Sequence, residues 1–213
     1  MTPDLVIFDC DGVLVDSEPI TNQLLRDDLA TRGLDLPLAE IMNLFVGGTI
    51  KGASETAMEM GADLPGNWVE TFYEATFEAL ARGTPLINGV TEVLDALDAA
   101  RVPYVVASNG PERKMDITLG QHPGVYARLQ GRIFSAHTVG IAKPDPGLYL
   151  VAAGQVDAAR IAVVEDSKSG CIAARRAGMR CLGLAEHDDG ARLAAEGAEV
   201  IHSLHEVPAK LNL

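Results

Sequence analysis

Six short apolar runs recur along the chain. They are DLVIFD at 4–9, VPYVVAS at 102–108, RIFS at 132–135, IAVVED at 161–166, RCLGLA at 180–185 and EVIH at 199–202. Several are continuously apolar rather than alternating, the pattern of strands covered on both faces of a parallel sheet. Helical spacing fills the intervals. VTEVLDALDAAR at 90–101 places Val90, Val93, Leu94 and Leu97 on one face, and 168–177 ends at Gly178, a helix C-terminal signal. Strand–helix alternation predicts an α/β fold with a doubly wound parallel sheet.

One interval breaks the alternation. Residues 16–84 contain no convincing strand and read as three or four helices. Ser17 is positioned to cap a helix carrying Ile20, Leu24, Leu25 and Leu29, and Asn67 to cap one carrying Val69, Phe72, Tyr73, Phe77 and Leu80. The aromatic stripe is assigned to core. The length of 213 residues corresponds to about 1.4 domains at roughly 150 residues each. A core of residues 1–15 and 85–213, interrupted by a helical cap at 16–84, accommodates that figure.

With 47% hydrophobic residues the chain can bury a full core, which excludes disorder as its main state. The charge, 17 − 30 = −13, argues against nucleic acid or an anionic membrane as partner. No run approaches the roughly 18 apolar residues of a membrane span, and MTPDLVIFDC reads as a first strand rather than a targeting segment. Cys10, Cys171 and Cys181 are odd in number and lack CxxC spacing, so they read as small buried hydrophobes in a reducing cytosol.

In an open parallel sheet, ligands bind beyond the carboxyl ends of the strands. The first predicted strand ends in Asp9, followed by Cys10, Asp11 and Gly12. The strand after the helical block ends in Ser108, Asn109 and Gly110, and a later one in Glu165 and Asp166, while Lys143 stands in AKPDP before a helix. Singly, each has a bland explanation: a turn, a cap or a solvated lysine. Together they deliver four carboxylates, a hydroxyl and an ammonium to one rim. Crowded carboxylates repel unless a cation or proton joins them, so the rim predicts a Mg²⁺ site suited to a phosphate ligand. One carboxylate would serve as nucleophile and a second as general acid and base.

These residues resemble the haloacid dehalogenase-like (HAD) phosphatases. DCDGVLVDSE at 9–18, ASN at 107–109, KPDP at 143–146 and VEDS at 164–167 are similar to that family's four motifs, in order. The resemblance implies a Rossmann-like core with a C1 cap, Asp9 as nucleophile and Asp11 as general acid/base. It implies Mg²⁺ held by the Asp9 carboxylate, the Asp11 backbone carbonyl and Asp166, with Glu165 nearby. Ser108, Asn109 and Lys143 would hold the transferring phosphoryl group. An Asp at position 11 implies phosphate-ester chemistry, and Thr21, where β-phosphoglucomutase-type enzymes carry a cap His, favours a phosphatase over a mutase. SNGPERKM at 108–115 resembles a subgroup of bacterial sugar-phosphate phosphatases that includes a 6-phosphogluconate phosphatase. The expected substrate is therefore a sugar phosphate or a phosphoglycolate-like acid.

FVGGTIKG at 45–52 resembles the family's substrate-specificity loop, which implies substrate contacts from Thr49 and Lys51. Residues 15–17 and 83–85 are the expected hinge links of a cap that opens and closes. A signalling receiver also gathers acids around a phosphorylated Asp, but it lacks a helical insertion after the first strand. The five histidines show no metal spacing and receive no role.

Overall fold

A computed structural model describes residues 1–45 and 49–213. All six apolar runs form strands: β1 Leu5–Phe8, β2 Tyr104–Ser108, β3 Ile133–Ser135, β4 Ile161–Glu165, β5 Arg180–Leu184 and β6 Glu199–Ile201. They make one parallel sheet in the order β3-β2-β1-β4-β5-β6. The chain runs outward from β1 to β3, then returns to build the other half from β4. The order reverses at β1, which puts its carboxyl end at the switch point where such sheets bind ligands.

Helices α1 Glu18–Thr31, α2 Leu38–Phe45, α3 Ile50–Glu59 and α4 Trp68–Ala81 follow β1 directly. Then come α5 Val90–Ala100 before β2, α6 Glu112–Gly120 and α7 Pro123–Leu129 before β3, and α8 Ala136–Val139 and α9 Gly147–Ala153 before β4. Helix α10 Lys168–Arg176 precedes β5, with the short α11 Ala191–Ala194 and α12 Val207–Leu211 flanking β6. No described helix is long and apolar enough to cross a membrane.

Strand residues divide between two buried layers with the period of two that a strand imposes. Val6, Phe8, Ala162 and Val164 enter one cluster with α5 and α12, whereas Leu5, Ile7, Ile161 and Val163 enter the other with α9 and α10. A third cluster gathers Leu25, Leu29, Ile41, Trp68 and Phe72 from α1, α2 and α4. Within it Trp68 stacks on Phe72 at 4.9 Å. The two connections into this helical block run side by side: Val15 bridges Leu86, and Asp16 N donates to Pro85 O at 2.9 Å. All three cysteines are buried free thiols, Cys171 and Cys181 with sulfurs 3.7 Å apart.

Two predicted caps do not form. Neither Ser17 nor Asn67 gives its side chain to the helix it precedes. Ser167, by contrast, caps α10 by accepting from Gly170 N at 3.1 Å.

Candidate active site

Beyond Phe8 the backbone closes a tight turn, with Leu14 N and Val15 N both donating to Cys10 O. Cys10 is buried in the core layer, while Asp9 and Asp11 both line a cavity of about 140 Å³ between the sheet rim and α1, α3 and α4. The every-second-residue alternation thus outlasts the strand by three residues. Gly12 carries the turn at φ +75°, and a Cβ there would lie 2.2 Å from Asp166 Oδ2. Only glycine lets Asp166 approach this closely.

Lys143 is the hub of the rim. Its Nζ donates to Asp9 Oδ1 at 2.5 Å and to Glu165 Oε1 at 2.7 Å, and lies 4.8 Å from the ring centre of Tyr149. Burial alone would lower the Lys143 ammonium, but Asp9 and Glu165 reverse that and push it well up. Burial pushes Asp9 up to about 7, with Lys143 opposing and Glu165 and Asp11 reinforcing the rise. Asp166 is pushed well above the carboxylate range by burial and by Glu165, Glu18 and Asp9.

Glu165, expected in the metal's surroundings, has both its oxygens engaged by protein donors. Oε1 accepts from Lys143 Nζ and from Tyr149 OH at 2.9 Å, and Oε2 from Ser167 N and Oγ, each at 2.8 Å. Burial raises its carboxyl, yet Lys143 and Ser167 more than compensate and hold it below the usual range. Glu165 therefore positions Lys143. Asn109 is likewise engaged, its Oδ1 accepting from Lys143 N at 2.8 Å and its Nδ2 donating to Lys143 O at 3.2 Å. Ser108 is buried in the cavity wall, its Oγ accepting from Gly110 N at 3.0 Å.

Asp11 accepts from two groups that the sequence reading missed as site residues. Lys114 Nζ stands 2.7 Å away, and Ser17 Oγ donates to Oδ1. Ser17 stands at φ −91° and ψ −17°, outside the extended conformation of a capping residue, and its hydroxyl donates to Asp11 without accepting from an N–H of α1. A signal for Lys114 existed: a lysine in the first turn of α6 opposes the helix dipole, a cost that an acidic partner offsets.

The structure brings Asp9, Asp11, Ser108, Asn109, Lys143, Glu165, Asp166 and Thr49 to one cavity, but not Lys51. Thr49 caps α3 by accepting from Gly52 N, and the helix turns Thr49, Ile50 and Ala53 toward the cavity and Lys51 to solvent. Residues 46–48 of the expected specificity loop lie outside the described residues. The aromatic stripe is core at Phe72 and Phe77, but Tyr73 lines the cavity, its hydroxyl 3.4 Å from His137 Nε2.

Charge decides what the rim lacks. Asp9, Asp11, Glu165 and Asp166 set four rim carboxyl groups against the two ammoniums of Lys143 and Lys114, and this excess of acids helps to push Asp9 and Asp166 up. An all-oxygen donor set with more acids than ammoniums fits Mg²⁺. Among the described residues the acids do not stand as a ready-made cage of three ligands, because Asp9 faces Lys143 and Asp11 faces Lys114.

Residues 3–178 match the family model described as haloacid dehalogenase-like hydrolase. A 6-phosphogluconate phosphatase of Escherichia coli K12 is 31% identical over 180 residues, 83% of this chain and 80% of that protein. A haloacid dehalogenase-like protein from Agrobacterium tumefaciens superposes with a TM-score of 0.85 at 32% identity, covering 98% of this chain and 97% of that one. A HAD family hydrolase from Deinococcus radiodurans, solved with bound phosphate and sodium, gives 0.78 at 34% identity, covering 99% and 95%.

Proposed function

The chain belongs to the haloacid dehalogenase-like hydrolases, and from that premise we propose that it is a Mg²⁺-dependent phosphatase of a small phosphorylated metabolite, a sugar phosphate or phospho-acid. The observation that carries this reading is the Lys143 ammonium bridging Asp9 and Glu165 at the cavity floor. It leaves Asp9 as a buried carboxylate aimed into the cavity, with a fixed positive charge beside it for a phosphoryl oxygen.

In this reading an Asp9 oxygen attacks phosphorus, the ester P–O bond breaks, and the leaving alkoxide takes a proton from Asp11. Water then attacks the aspartyl phosphate and gives its proton to Asp11, the P–O bond to Asp9 breaks, and orthophosphate leaves. Lys114 and Ser17 hold the Asp11 carboxyl in place. Lys143 and Ser108 hold phosphoryl oxygens, while Asn109 holds Lys143. The Asp9 and Asp166 carboxylates and the Asp11 carbonyl would hold Mg²⁺, which when bound offsets the charge of the phosphoryl oxygens.

Residues 16–84 serve as a cap on a core of 1–15 and 85–213, a division that the separate hydrophobic cluster of the cap supports. Residues 15–17 and 83–85 are its hinges. Hydrolysis is favoured over a mutase cycle because Thr21 faces the cavity where mutases carry a cap His, its hydroxyl already given to Ser17 O at 3.0 Å. The names of the relatives, a 6-phosphogluconate phosphatase among them, point the same way. The buried thiols fit a reducing cytosol.

The test is hydrolysis of p-nitrophenyl phosphate. Asp9→Asn abolishes turnover with the circular dichroism unchanged, and a chelator silences the wild type until Mg²⁺ is restored. Turnover by Asp9→Asn at the wild-type rate defeats the mechanism.

A further inference from the structure

Resting on that phosphatase reading, we propose that the leaving alcohol carries a neutral, hydroxyl-bearing tail rather than a carboxylate, and that the Asn22 amide is one of its hydrogen-bond partners.

Asn22 lies on α1, lines the cavity and is only 6% exposed, yet its Nδ2 has no hydrogen-bond partner in the protein. Buried side-chain amides are almost always paired. One left open on a cavity wall, opposite the phosphoryl-handling rim, points to an acceptor oxygen on the ligand.

The charges of the cap exclude an anionic tail. Residues 16–84 contain four basic side chains, Arg26, Arg32, Lys51 and Arg82, and none lines the cavity. Arg26 pairs with Asp27 at 2.9 Å and Arg32 with Asp28 at 2.8 Å, while Lys51 and Arg82 are exposed. The undescribed residues Val46, Gly47 and Gly48 have no basic side chain. On the core side, Lys143 is engaged by Asp9 and Glu165, and Lys114 by Asp11.

The one charged side chain that the cap contributes to the cavity is Glu18, whose carboxyl is pushed up by burial and by Asp11. A carboxylate tail would face Glu18, and the residues lining the cavity offer it no cation that is not already engaged by an acid; desolvating an unpaired anion is costly. Hydroxyl groups would meet the Asn22 amide and the Thr49 hydroxyl, with Leu25 and Ile50 against the C–H faces of the carbon chain. The substrate class therefore departs from the acid named for the Escherichia coli relative.

A matched pair tests this with the intact wild-type protein and Mg²⁺. Glucitol 6-phosphate and 6-phosphogluconate differ only in a terminal CH₂OH against a carboxylate. The expected kcat/KM is at least about tenfold higher for the polyol. Equal values, or preference for the acid, overturn the inference while leaving the phosphatase reading intact. No hydrolysis of any ester, p-nitrophenyl phosphate included, overturns the phosphatase reading and this inference with it. Asn22→Leu, of similar volume, lowers the ratio of kcat/KM for glucitol 6-phosphate to that for p-nitrophenyl phosphate about tenfold, mostly through KM. An unchanged ratio removes Asn22 from the contact. Asn22→Lys shifts preference toward 6-phosphogluconate; the wild-type comparison decides even where a variant fails to fold.

Discussion

Lys114 Nζ lies 2.7 Å from Asp11 Oδ1, in an ion pair whose side chains retain 12% and 21% of their exposure. Burial alone would lower the ammonium, but Asp11, with Cys10 and Asp9 behind it, raises it instead. Lys114→Met leaves Asp11 anchored by Ser17 alone and a largely buried carboxylate unpaired. The expected cost is about 1–3 kcal/mol, below the value for a fully buried pair because water screens part of the charge. Turnover falls about 10–100-fold through a misplaced acid/base, and Lys114→Arg restores part of it. Urea denaturation and kcat on p-nitrophenyl phosphate read both; an unaltered kcat would show that Asp11 needs no second anchor.

Glu165→Gln removes the charge but keeps the shape. The new amide must place an NH₂ group opposite Lys143 Nζ and Tyr149 OH, or opposite Ser167 N and Oγ, all of which donate to the present carboxylate. One set of donors is then orphaned whichever way the amide turns. Expected destabilisation is about 3 kcal/mol, with activity lost because Lys143 is no longer fixed. If Glu165 were instead a direct metal ligand, high Mg²⁺ would rescue the variant; no such rescue is expected.

The legible parts of this molecule are those governed by local pattern. A strand buried on both faces must be apolar throughout, so β1, β2, β4 and β5 stood out, and a rim that handles phosphate must repeat acid, hydroxyl and ammonium at strand ends. The direction of Lys51 was not legible because it depends on where α3 begins: Thr49 as cap turns residues 50 and 53 inward and residue 51 outward. Ser17 does not cap because its backbone is helical rather than extended, and its hydroxyl meets a carboxylate six residues back that the cap rule does not consider. Tyr149 and Asn22 gave no local signal, since their roles exist only once α9 and α1 converge on the rim.

Gly12→Ala tests the closeness of Asp166 to the turn. The added Cβ would sit 2.2 Å from Asp166 Oδ2 and would force a side chain into the left-handed region at φ +75°. Asp166 must move. The expected cost is roughly 1–2 kcal/mol of stability, together with a Mg²⁺ requirement raised at least about tenfold. Titrating activity against Mg²⁺ separates the two effects: a stability loss with unchanged Mg²⁺ dependence would show that Asp166 does not take part in holding the ion.

Proton linkage gives a prediction that needs no substrate. Burial pushes Asp9 from an ordinary 3.8 to about 7, so between about pH 4 and 7 the native state keeps a proton that the unfolded chain has lost. Stability then falls as pH rises through that window. Asp166, also pushed up, adds to the same slope. Glu165, held low, contributes stability that is full above its ordinary 4.5 and lost as pH falls below it; Lys143, held high, contributes fully below its ordinary 10.5. Neither changes between pH 5 and 8. The metal-free protein is therefore expected to lose of order 3 kcal/mol from Asp9 alone between pH 5 and pH 8, about 6–12 °C in Tm for a chain of this size. Mg²⁺ binds the deprotonated acids and releases their protons, so the Tm gained on adding it should be larger at pH 8 than at pH 5. Thermal scans with chelator and with excess Mg²⁺ at both values measure all four points. An equal Mg²⁺ increment at both pH values would mean that the ion binds away from Asp9 and Asp166.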